Sequence, residues 1–367
     1  MMLTSLGVFV SPGQGEAGTY ILSLTLCRQG LPLPCDTCKI HRYMQKTNRP
    51  LVSVVVLNWN GQRFIAPFMT SFAKQTYPKE SMELLFVDNS STDHSLEYLK
   101  KHYSDDTRIR IVLNNKNYGY AGGNNLGIKQ AKGDYILVCN NDLELDKNTV
   151  SELVIASQKH NSDVTTVKLM FLNKPGIINN AGSRLVPDST WPTYEIGINE
   201  RDKGQYNEDR EITAFCGACV LFTRHFLTTV GLFDKRFFMY FEDGDLAWRG
   251  QKSGHKYYYA AKAVAYHVHT GSSSEGSPLF NHFVGRNRLL IMLKNANFSI
   301  FLRTCGVTFK DHVMFRLKNL YASLFGRYNK RQALRELLLS QKMLLSALVL
   351  SPYILLKRFG LIREEKL

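Results

Sequence analysis

The feature that most constrains this chain of 367 residues is an alternation of short apolar runs with amphipathic segments. Four apolar runs predict buried strands, and the three segments between them predict helices. The strands are expected at residues 51–57, 83–87, 109–113 and 134–139, and the helices at residues 65–74, 95–102 and 118–130. Such alternation is typical of a mostly parallel sheet flanked by helices. The sequence therefore predicts an α/β, Rossmann-like fold.

Three of the predicted strands end in polar side chains. Asn58 follows the first strand, Asp88 follows the second, and Asn140 and Asp142 follow the fourth. Ligands of parallel sheets bind at the carboxyl ends of the strands, so these side chains are expected to meet in one crevice. The oxygens of residues 140–142 suit Mg²⁺ or Mn²⁺, and Asp88 could accept a hydrogen bond from the base or ribose of a nucleotide. The alternatives are an ordinary helix N-cap at Asp88 and an ordinary turn at residues 140–142.

Further candidates lie in the second half of the chain. Glu242, Asp243 and Asp245 follow an aromatic run, and like charges crowded beside apolar surface tend to raise a pKa, which favours a general base. The alternative is a helix start whose acids complement the macrodipole. His267 ends an apolar segment and is either a ligand or a structural histidine. Residues 187–210 are polar and turn-rich, and the segment is long enough to be a functional loop.

Taken in order, these segments resemble the inverting family 2 glycosyltransferases of the GT-A fold, and most closely their rhamnosyltransferase-like branch. The resemblance covers roughly residues 50–290 and rests on seven segments. They are Val54–Gly61, Val87–Asp93, Asn117–Gly127, Asn140–Asp142, Phe215–Ala218, Phe241–Leu246 and Tyr266–His267.

The resemblance implies a donor pocket and a metal site. The donor-binding residues would be Asn58, Asp88, Gly122, Gly123, Asn124 and Asn140. Asp142 would bind Mg²⁺ or Mn²⁺, and His267 would contact the metal or the diphosphate. Asn140 stands where the stricter motif of the family has an acid, so its direct coordination of the cation is an open question.

The resemblance also implies a single displacement with inversion. Asp243 would take the proton of the acceptor hydroxyl as it attacks the anomeric carbon, with Glu242 and Asp245 in support. The donor would be of the dTDP-rhamnose or UDP-hexose type, and the acceptor a lipid-linked or cell-surface glycan. Two other functions stay open: a nucleotidyltransferase, and a non-catalytic protein that binds nucleotide sugars or glycans. The first would need a Gly-rich basic loop, which residues 58–61 do not provide.

Charge is concentrated at the C-terminus. The chain carries +15, and residues 281–367 hold sixteen Lys and Arg against four acids, or +12. This favours an anionic membrane surface. Leu337–Leu356 is interrupted by Gln341 and Lys342, and its remainder is shorter than the ~20 residues of a membrane span, which favours an interfacial helix. A solvated helical bundle is the alternative. Nucleic acid is not expected, because the basic residues lie among aliphatic ones.

Three regions are predicted. Residues 1–49 form a poorly structured extension whose first 43 residues could precede the native start, residues 50–290 form the catalytic domain, and residues 291–367 form a basic helical region. The seven cysteines are an odd number without the spacing of a secreted disulfide scaffold, which indicates a reducing compartment. The expected location is cytoplasmic, peripheral on the inner face of the cell membrane.

Overall fold

The computed structural model describes residues 49–268, 277–324 and 330–367, which contain twelve strands and nine α-helices. The strands are β1 (Val52–Asn58), β2 (Met82–Asp88), β3 (Ile109–Leu113), β4 (Tyr135–Asn140), β5 (Leu143–Leu145), β6 (Val164–Phe171), β7 (Ile178–Asn180), β8 (Ser183–Leu185), β9 (Thr193–Glu195), β10 (Arg210–Ile212), β11 (Cys219–Thr223) and β12 (Tyr257–His267). The helices are α1 (Gln62–Ala73), α2 (Ser95–Tyr103), α3 (Gly119–Gln130), α4 (Thr149–His160), α5 (Arg224–Thr229), α6 (Glu242–Lys252), α7 (Pro278–Asn295), α8 (Phe298–Leu324) and α9 (Lys330–Arg358). The extension predicted at residues 1–49 lies, apart from Arg49, outside the described residues.

Ten strands form one sheet, along the path β10-β12-β6-β11-β4-β1-β2-β3, with β5 beside β12 and β7 beside β6. The four neighbouring strands β4, β1, β2 and β3 are parallel to one another. Their bounds agree with the predicted ones to within one residue. On the other side β11 runs antiparallel to both β4 and β6, so there the sheet is mixed. β8 and β9 form a separate hairpin.

The apolar runs fold as strands because both faces of the sheet are covered. Alternate residues of β1 face opposite ways: Val54 and Val56 pack in the core that contains α1, and Val55 packs in the core that contains α3. Helix α3 approaches the sheet very closely. A Cβ on Gly127 would lie 2.5 Å from the Val55 side chain, so a side chain there would push the helix away.

The register brings the predicted polar residues to one edge. Asn58 pairs with Asp88 across β1 and β2, and its neighbour Leu57 pairs with Asn140 across β1 and β4. The expectation that these strand ends converge is therefore confirmed.

The C-terminal helices pack on one another and on the residues before α6. Leu290 and Ile291 of α7 share a core with Ala347 and Ile354 of α9. The domain boundary predicted after residue 290 would fall inside α7. The division into a catalytic domain and a C-terminal region stays a prediction.

Helix α9 continues through Gln341 and Lys342, the residues that interrupt the apolar stretch in the sequence. Its segment Leu338–Arg358 spans 21 residues and contains an 18-residue window with a mean hydropathy of 1.5, of which 17% is buried within the protein. By length and composition this one helix of the described chain could cross a membrane. Length alone therefore does not exclude a membrane span, and the interfacial position stays a prediction.

Candidate active site

A cavity of about 270 Å³ opens at the carboxyl ends of β1 and β4. It is bounded by the β1–α1 loop, the start of α3, the residues after β4 and the residues before α6. Its lining residues are Leu57, Trp59, Asn60, Gly61, Phe64, Asn89, Asn117, Gly119, Tyr120, Asn140, Asn141, Asp142, Phe238, Met239 and Leu279. Of the predicted site residues, Asn140 and Asp142 line the cavity, whereas Asn58 and Asp88 are buried beside it.

Asn58 connects the ends of three strands. Its Nδ2 donates to Asp88 Oδ1 at 3.3 Å and to Ser91 Oγ at 3.2 Å, and its Oδ1 accepts from Asn141 Nδ2 at 2.6 Å. Because Asn58 is fully buried, these hydrogen bonds fix the Asp88 carboxyl and the Asn141 amide relative to each other. The structure thus gives Asn58 a positioning role next to the cavity.

A second asparagine, Asn89, fixes the loop that leads into α3. Its Nδ2 donates to Asn117 Oδ1 at 2.9 Å, and its Oδ1 accepts from the backbone N–H of Tyr118 at 3.1 Å and from Asn114 Nδ2 at 3.0 Å. The sequence analysis missed this residue. The run of asparagines after β3 was the available signal, since such side chains often replace backbone partners in turns.

The predicted pocket residues Gly122, Gly123 and Asn124 lie inside α3 and are buried. A Cβ on Gly123 would lie 2.5 Å from a Leu57 methyl, so this glycine allows α3 to approach β1. Asn124 Nδ2 donates to the Tyr120 carbonyl within the helix. The residues of α3 that line the cavity are Gly119 and Tyr120. Contact of Gly122, Gly123 and Asn124 with the sugar donor stays a prediction.

Asp142 and His267 come together although 125 positions separate them, because β12 pairs with β5 directly after Asp142. Asp142 Oδ1 lies 3.2 Å from His267 Nε2, and both side chains are buried. Asn179 Oδ1 lies 3.0 Å from the other ring nitrogen, Nδ1. A proton on Nδ1 would therefore leave the Nε2 lone pair facing a carboxylate, an arrangement that a bound cation would stabilise.

This donor set fits a divalent cation that also binds a diphosphate. No group of three or more His, Cys, Asp and Glu side chains is arranged for a metal within residues 49–268, 277–324 and 330–367. One carboxylate and one imidazole are nevertheless sufficient protein ligands where phosphate oxygens supply the others, as is usual for Mg²⁺ and Mn²⁺. Asn140 Nδ2 lies 3.5 Å from His267 Nε2 and brings no charge.

Helix α6 begins with two carboxyls in different environments. Glu242 is buried, and its Oε2 makes no hydrogen bond to any described residue. Burial, with the nearby charge of Asp243, raises the Glu242 pKa well above its usual value. Asp243 is partly exposed and accepts hydrogen bonds from the backbone N–H groups of Gly217 at 3.1 Å and Gly244 at 2.7 Å. Burial raises the Asp243 pKa, and these two N–H groups oppose that rise. The pKa values of both carboxyls are therefore raised, and the rise is larger at the more deeply buried Glu242.

Asp245 belongs to a buried ion-pair network. Its carboxylate lies 2.9 Å from Lys294 Nζ and 2.9 Å from Arg249 Nε, and Lys294 also contacts Asp234 at 2.9 Å. These two cations overcome the effect of burial and hold the Asp245 pKa well below its usual range. Asp245 therefore attaches α6 to α7. Its support of Asp243 stays a prediction.

A turn with unusual backbone angles precedes the two carboxyls. Phe238, Tyr240 and Phe241 have φ of +67°, +68° and +66°, a region that costs non-glycine residues about 1–3 kcal/mol each. Asn287 of α7 holds this 238–241 turn: its Nδ2 lies 2.8 Å from the carbonyl oxygens of Phe237, Met239 and Tyr240. Arg286 adds a hydrogen bond of 2.6 Å to the Phe237 carbonyl. The sequence analysis missed both residues of α7.

Tyr120 connects the cavity to Asp243. Its hydroxyl donates to the Gly217 carbonyl at 2.5 Å, and the N–H of the same glycine donates to Asp243. Burial raises the Tyr120 pKa well above its usual value, so the phenol keeps its proton and remains a donor. A Cβ on Gly217 would lie 2.8 Å from the Tyr120 hydroxyl oxygen, which leaves little space for any other residue.

Comparison with known proteins finds similarity to enzymes that transfer sugars. Residues 53–231 match the family described as Glycosyl transferase family 2. Poly(ribitol-phosphate) beta-N-acetylglucosaminyltransferase TarS of Staphylococcus aureus is 30% identical over 139 residues, which are 38% of this chain and 24% of TarS. The low-salt glycan biosynthesis hexosyltransferase of Haloferax volcanii is 27% identical over 223 residues, 59% of this chain and 66% of that protein. This chain thus spans about a quarter of the length of TarS.

Solved structures give the same fold. A mannosyltransferase of Pyrobaculum calidifontis, in complex with GDP-Man and Mn²⁺, matches 91% of this chain and 98% of its own at a TM-score of 0.50 and 16% identity. The crystal structure of GalNAc-T7 with UDP, GalNAc and Mn²⁺ matches 67% of this chain and 48% of its own at a TM-score of 0.56 and 19% identity. The predicted GT-A fold is therefore confirmed.

Proposed function

Because residues 53–231 of this chain form a glycosyl transferase family 2 domain, we propose that the protein transfers a sugar from a nucleoside-diphosphate donor to a glycan hydroxyl, with inversion at the anomeric carbon. The observation that carries the proposal is the position of Asp243. It is a partly exposed carboxylate, held by two backbone N–H groups and joined through Gly217 to Tyr120 of the cavity. The cavity would hold the donor, and the acceptor would approach from the side of Asp243.

In the proposed reaction Asp243 accepts the proton of the acceptor hydroxyl. The oxygen of that hydroxyl forms a bond to the anomeric carbon as the bond from that carbon to the diphosphate oxygen breaks. With its pKa raised by burial, Glu242 would keep its proton and would add no second negative charge beside the base. General-base catalysis of this kind typically contributes about 10²–10⁴ in rate.

Asp142 and His267 would hold a divalent cation, Mg²⁺ or Mn²⁺, and its charge would stabilise the leaving diphosphate. Asn58 would keep Asp88 and Asn141 in place beside the donor. The donor would be of the dTDP-rhamnose or UDP-hexose type. A lipid-linked or cell-surface glycan would be the acceptor; the name of one curated relative refers to glycan biosynthesis and that of another to poly(ribitol-phosphate).

The proposed location is the inner face of the cell membrane, with peripheral attachment through the C-terminal helices. The charge of +12 over residues 281–367 would attract anionic lipid. Exposed apolar side chains on the same helices would enter the interface. They include Phe298, Leu302, Phe309, Leu345, Leu348 and Val349.

The experiment that tests the function is nucleotide release from a panel of dTDP, UDP and GDP sugars, with Mn²⁺, with Mg²⁺ and with EDTA. Release from one donor that EDTA abolishes supports the transferase. Saturable binding of a nucleotide sugar without release would favour the binding protein instead. Release of pyrophosphate from a nucleoside triphosphate and a sugar phosphate would favour the nucleotidyltransferase.

A further inference from the structure

The β8–β9 hairpin lies against the start of α6, where Glu242 and Asp243 stand. A Cβ on Gly244 would be 3.2 Å from Thr193 Cγ2, so the hairpin and the helix are in contact at this point. Glu195 lies two residues along the strand and therefore on the same face. Burial raises the pKa of the Cys216 thiol, and the negative charges of Glu195 and Asp243 add to that rise, so both carboxylates lie near this thiol. One face of the hairpin is therefore directed to the catalytic end of α6.

Trp191 precedes this strand and stands at the edge of the same face. Its ring contacts the Phe241 ring edge to face, with 5.7 Å between the ring centroids, and Phe241 directly precedes Glu242. The Arg288 guanidinium lies 5.2 Å from the centroid of the Trp191 ring. Arg288 is itself held by a hydrogen bond of 2.7 Å to Thr308 Oγ1. The indole is thus fixed by two contacts, and yet 46% of the residue is exposed.

A large aromatic ring that is held in place and open to solvent beside a general base is suited to binding a substrate. A pyranose presents a flat face of C–H groups that can stack on an indole, and hydroxyls at its rim that can donate to carboxylates such as Glu195. A linear polyol phosphate has no such face, and the carboxylates of Glu195 and Asp243 would repel its charge.

On the basis of the proposed function, we infer that Trp191 is a stacking platform for a pyranose ring of the acceptor glycan. The acceptor class is therefore a pyranosyl glycan and not a polyol phosphate.

The hairpin contains its own control residue. Tyr194 is an aromatic residue of the same hairpin, is 51% exposed, and also has an arginine over its ring, with Arg184 at 4.7 Å from the centroid. Because side chains alternate along a strand, Tyr194 points to the opposite face from Thr193 and Glu195. Tyr194→Ala therefore removes an aromatic side chain of similar exposure to Trp191, but it leaves the face that carries Thr193 and Glu195 unchanged.

The test measures KM and kcat for the acceptor at a saturating concentration of the donor that the native protein uses. The acceptors are octyl β-glucopyranoside, octyl β-galactopyranoside, octyl α-mannopyranoside, octyl α-rhamnopyranoside and ribitol 5-phosphate. At least one pyranoside is expected to be used, with an acceptor KM that rises about tenfold in Trp191→Ala, which corresponds to about 1.4 kcal/mol. Trp191→Phe should recover most of this loss, and Tyr194→Ala should stay within about twofold of the native KM.

The inference is overturned if Trp191→Ala has the native acceptor KM, if Tyr194→Ala is equally impaired, or if ribitol phosphate is the preferred acceptor. A native protein that turns over no donor contradicts the proposed function instead. Tryptophan fluorescence then decides the inference, because a pyranoside bound at Trp191 should quench the native emission and leave that of Trp191→Phe unchanged. Equal responses of the two proteins, or no response to any pyranoside, would also overturn it.

Discussion

The side-chain amide of Asn287 lies 2.8 Å from the carbonyl oxygen of Tyr240, a residue with φ of +68°. The same amide reaches the carbonyls of Phe237 and Met239, so one fully buried side chain holds most of the 238–241 turn. This turn sets the position at which α6 begins with Glu242 and Asp243. The position of the proposed base thus depends on a residue 44 positions away along the chain.

We expect Asn287→Ala to lose both stability and activity. Buried carbonyls left without a donor cost about 1–3 kcal/mol, so the free energy of unfolding in denaturant should fall by that amount. At a temperature where the variant is folded, kcat should fall at least about tenfold, because Asp243 is displaced. Asn281→Ala, on the exposed face of the same helix, is the control. A folded Asn287→Ala with native kcat would show that the turn holds its geometry without this side chain.

The raised pKa of Glu242 predicts a pH-dependent stability. The folded state holds the Glu242 proton to a higher pH than the unfolded chain, whose pKa is near the usual 4.5, so native stability falls as pH rises through that window. Glu242→Gln removes this effect. We therefore expect the variant to gain stability relative to the native protein between about pH 5 and pH 8, by about 1.4 kcal/mol for each unit of the pKa rise. Urea unfolding across this range measures it, and a difference that does not change with pH would contradict the assignment.

The ion-pair network under α6 predicts a large cost for removing its central cation. Lys294→Met leaves Asp234 and Asp245 buried with fewer partners, and the loss of one partner of a buried pair typically costs about 3–5 kcal/mol. Lys235→Met removes an exposed lysine 3.8 Å from Glu365, and we expect a change below about 1 kcal/mol. Chemical denaturation of both variants makes the comparison. Similar small losses would mean that the network contributes no more than a surface pair.

Much of the half of the fold that contains β1 to β4 could be predicted from the sequence. The strands β1 to β4 are mostly apolar runs that end in, or are followed by, Asn or Asp, so apolar pattern and polarity mark the same ends. Parallel pairing then brings Asn58, Asp88 and Asn140 to one edge without further information. By contrast, β6 is buried over all eight residues but carries Lys168 and two threonines, which hid it from an apolar-run criterion.

The acidic end of the site could be predicted only in part. The sequence shows that Glu242, Asp243 and Asp245 are close together along the chain. It does not show that Asp245 pairs with Lys294, or that three aromatic residues before the acids have positive φ. Local preference opposes that conformation, and contacts from α7 impose it. The contact between Asp142 and His267 likewise follows from the pairing of β12 with β5, which no local pattern reveals.

Membrane attachment predicts a specific loss. Leu345 and Leu348 are 62% and 69% exposed on α9, so a double change to Glu should abolish sedimentation with vesicles that contain anionic lipid, without unfolding the protein. Leu113→Glu, on an exposed residue of β3, is the control. Native protein should bind anionic vesicles more strongly than neutral ones and dissociate in high salt. Resistance to salt and to alkaline extraction would instead indicate that Leu338–Arg358 crosses the bilayer.

The role of Asp243 as general base is tested most directly by the turnover number of Asp243→Asn at saturating donor and acceptor. The amide keeps the shape of the side chain and can still accept a hydrogen bond, but it cannot take the proton of the acceptor hydroxyl. We predict a fall in kcat of about 10²–10⁴, while Asp105→Asn, an exposed change near the end of α2, retains native turnover. An Asp243→Asn protein that keeps kcat within about tenfold of native would contradict the assignment of Asp243 as the base.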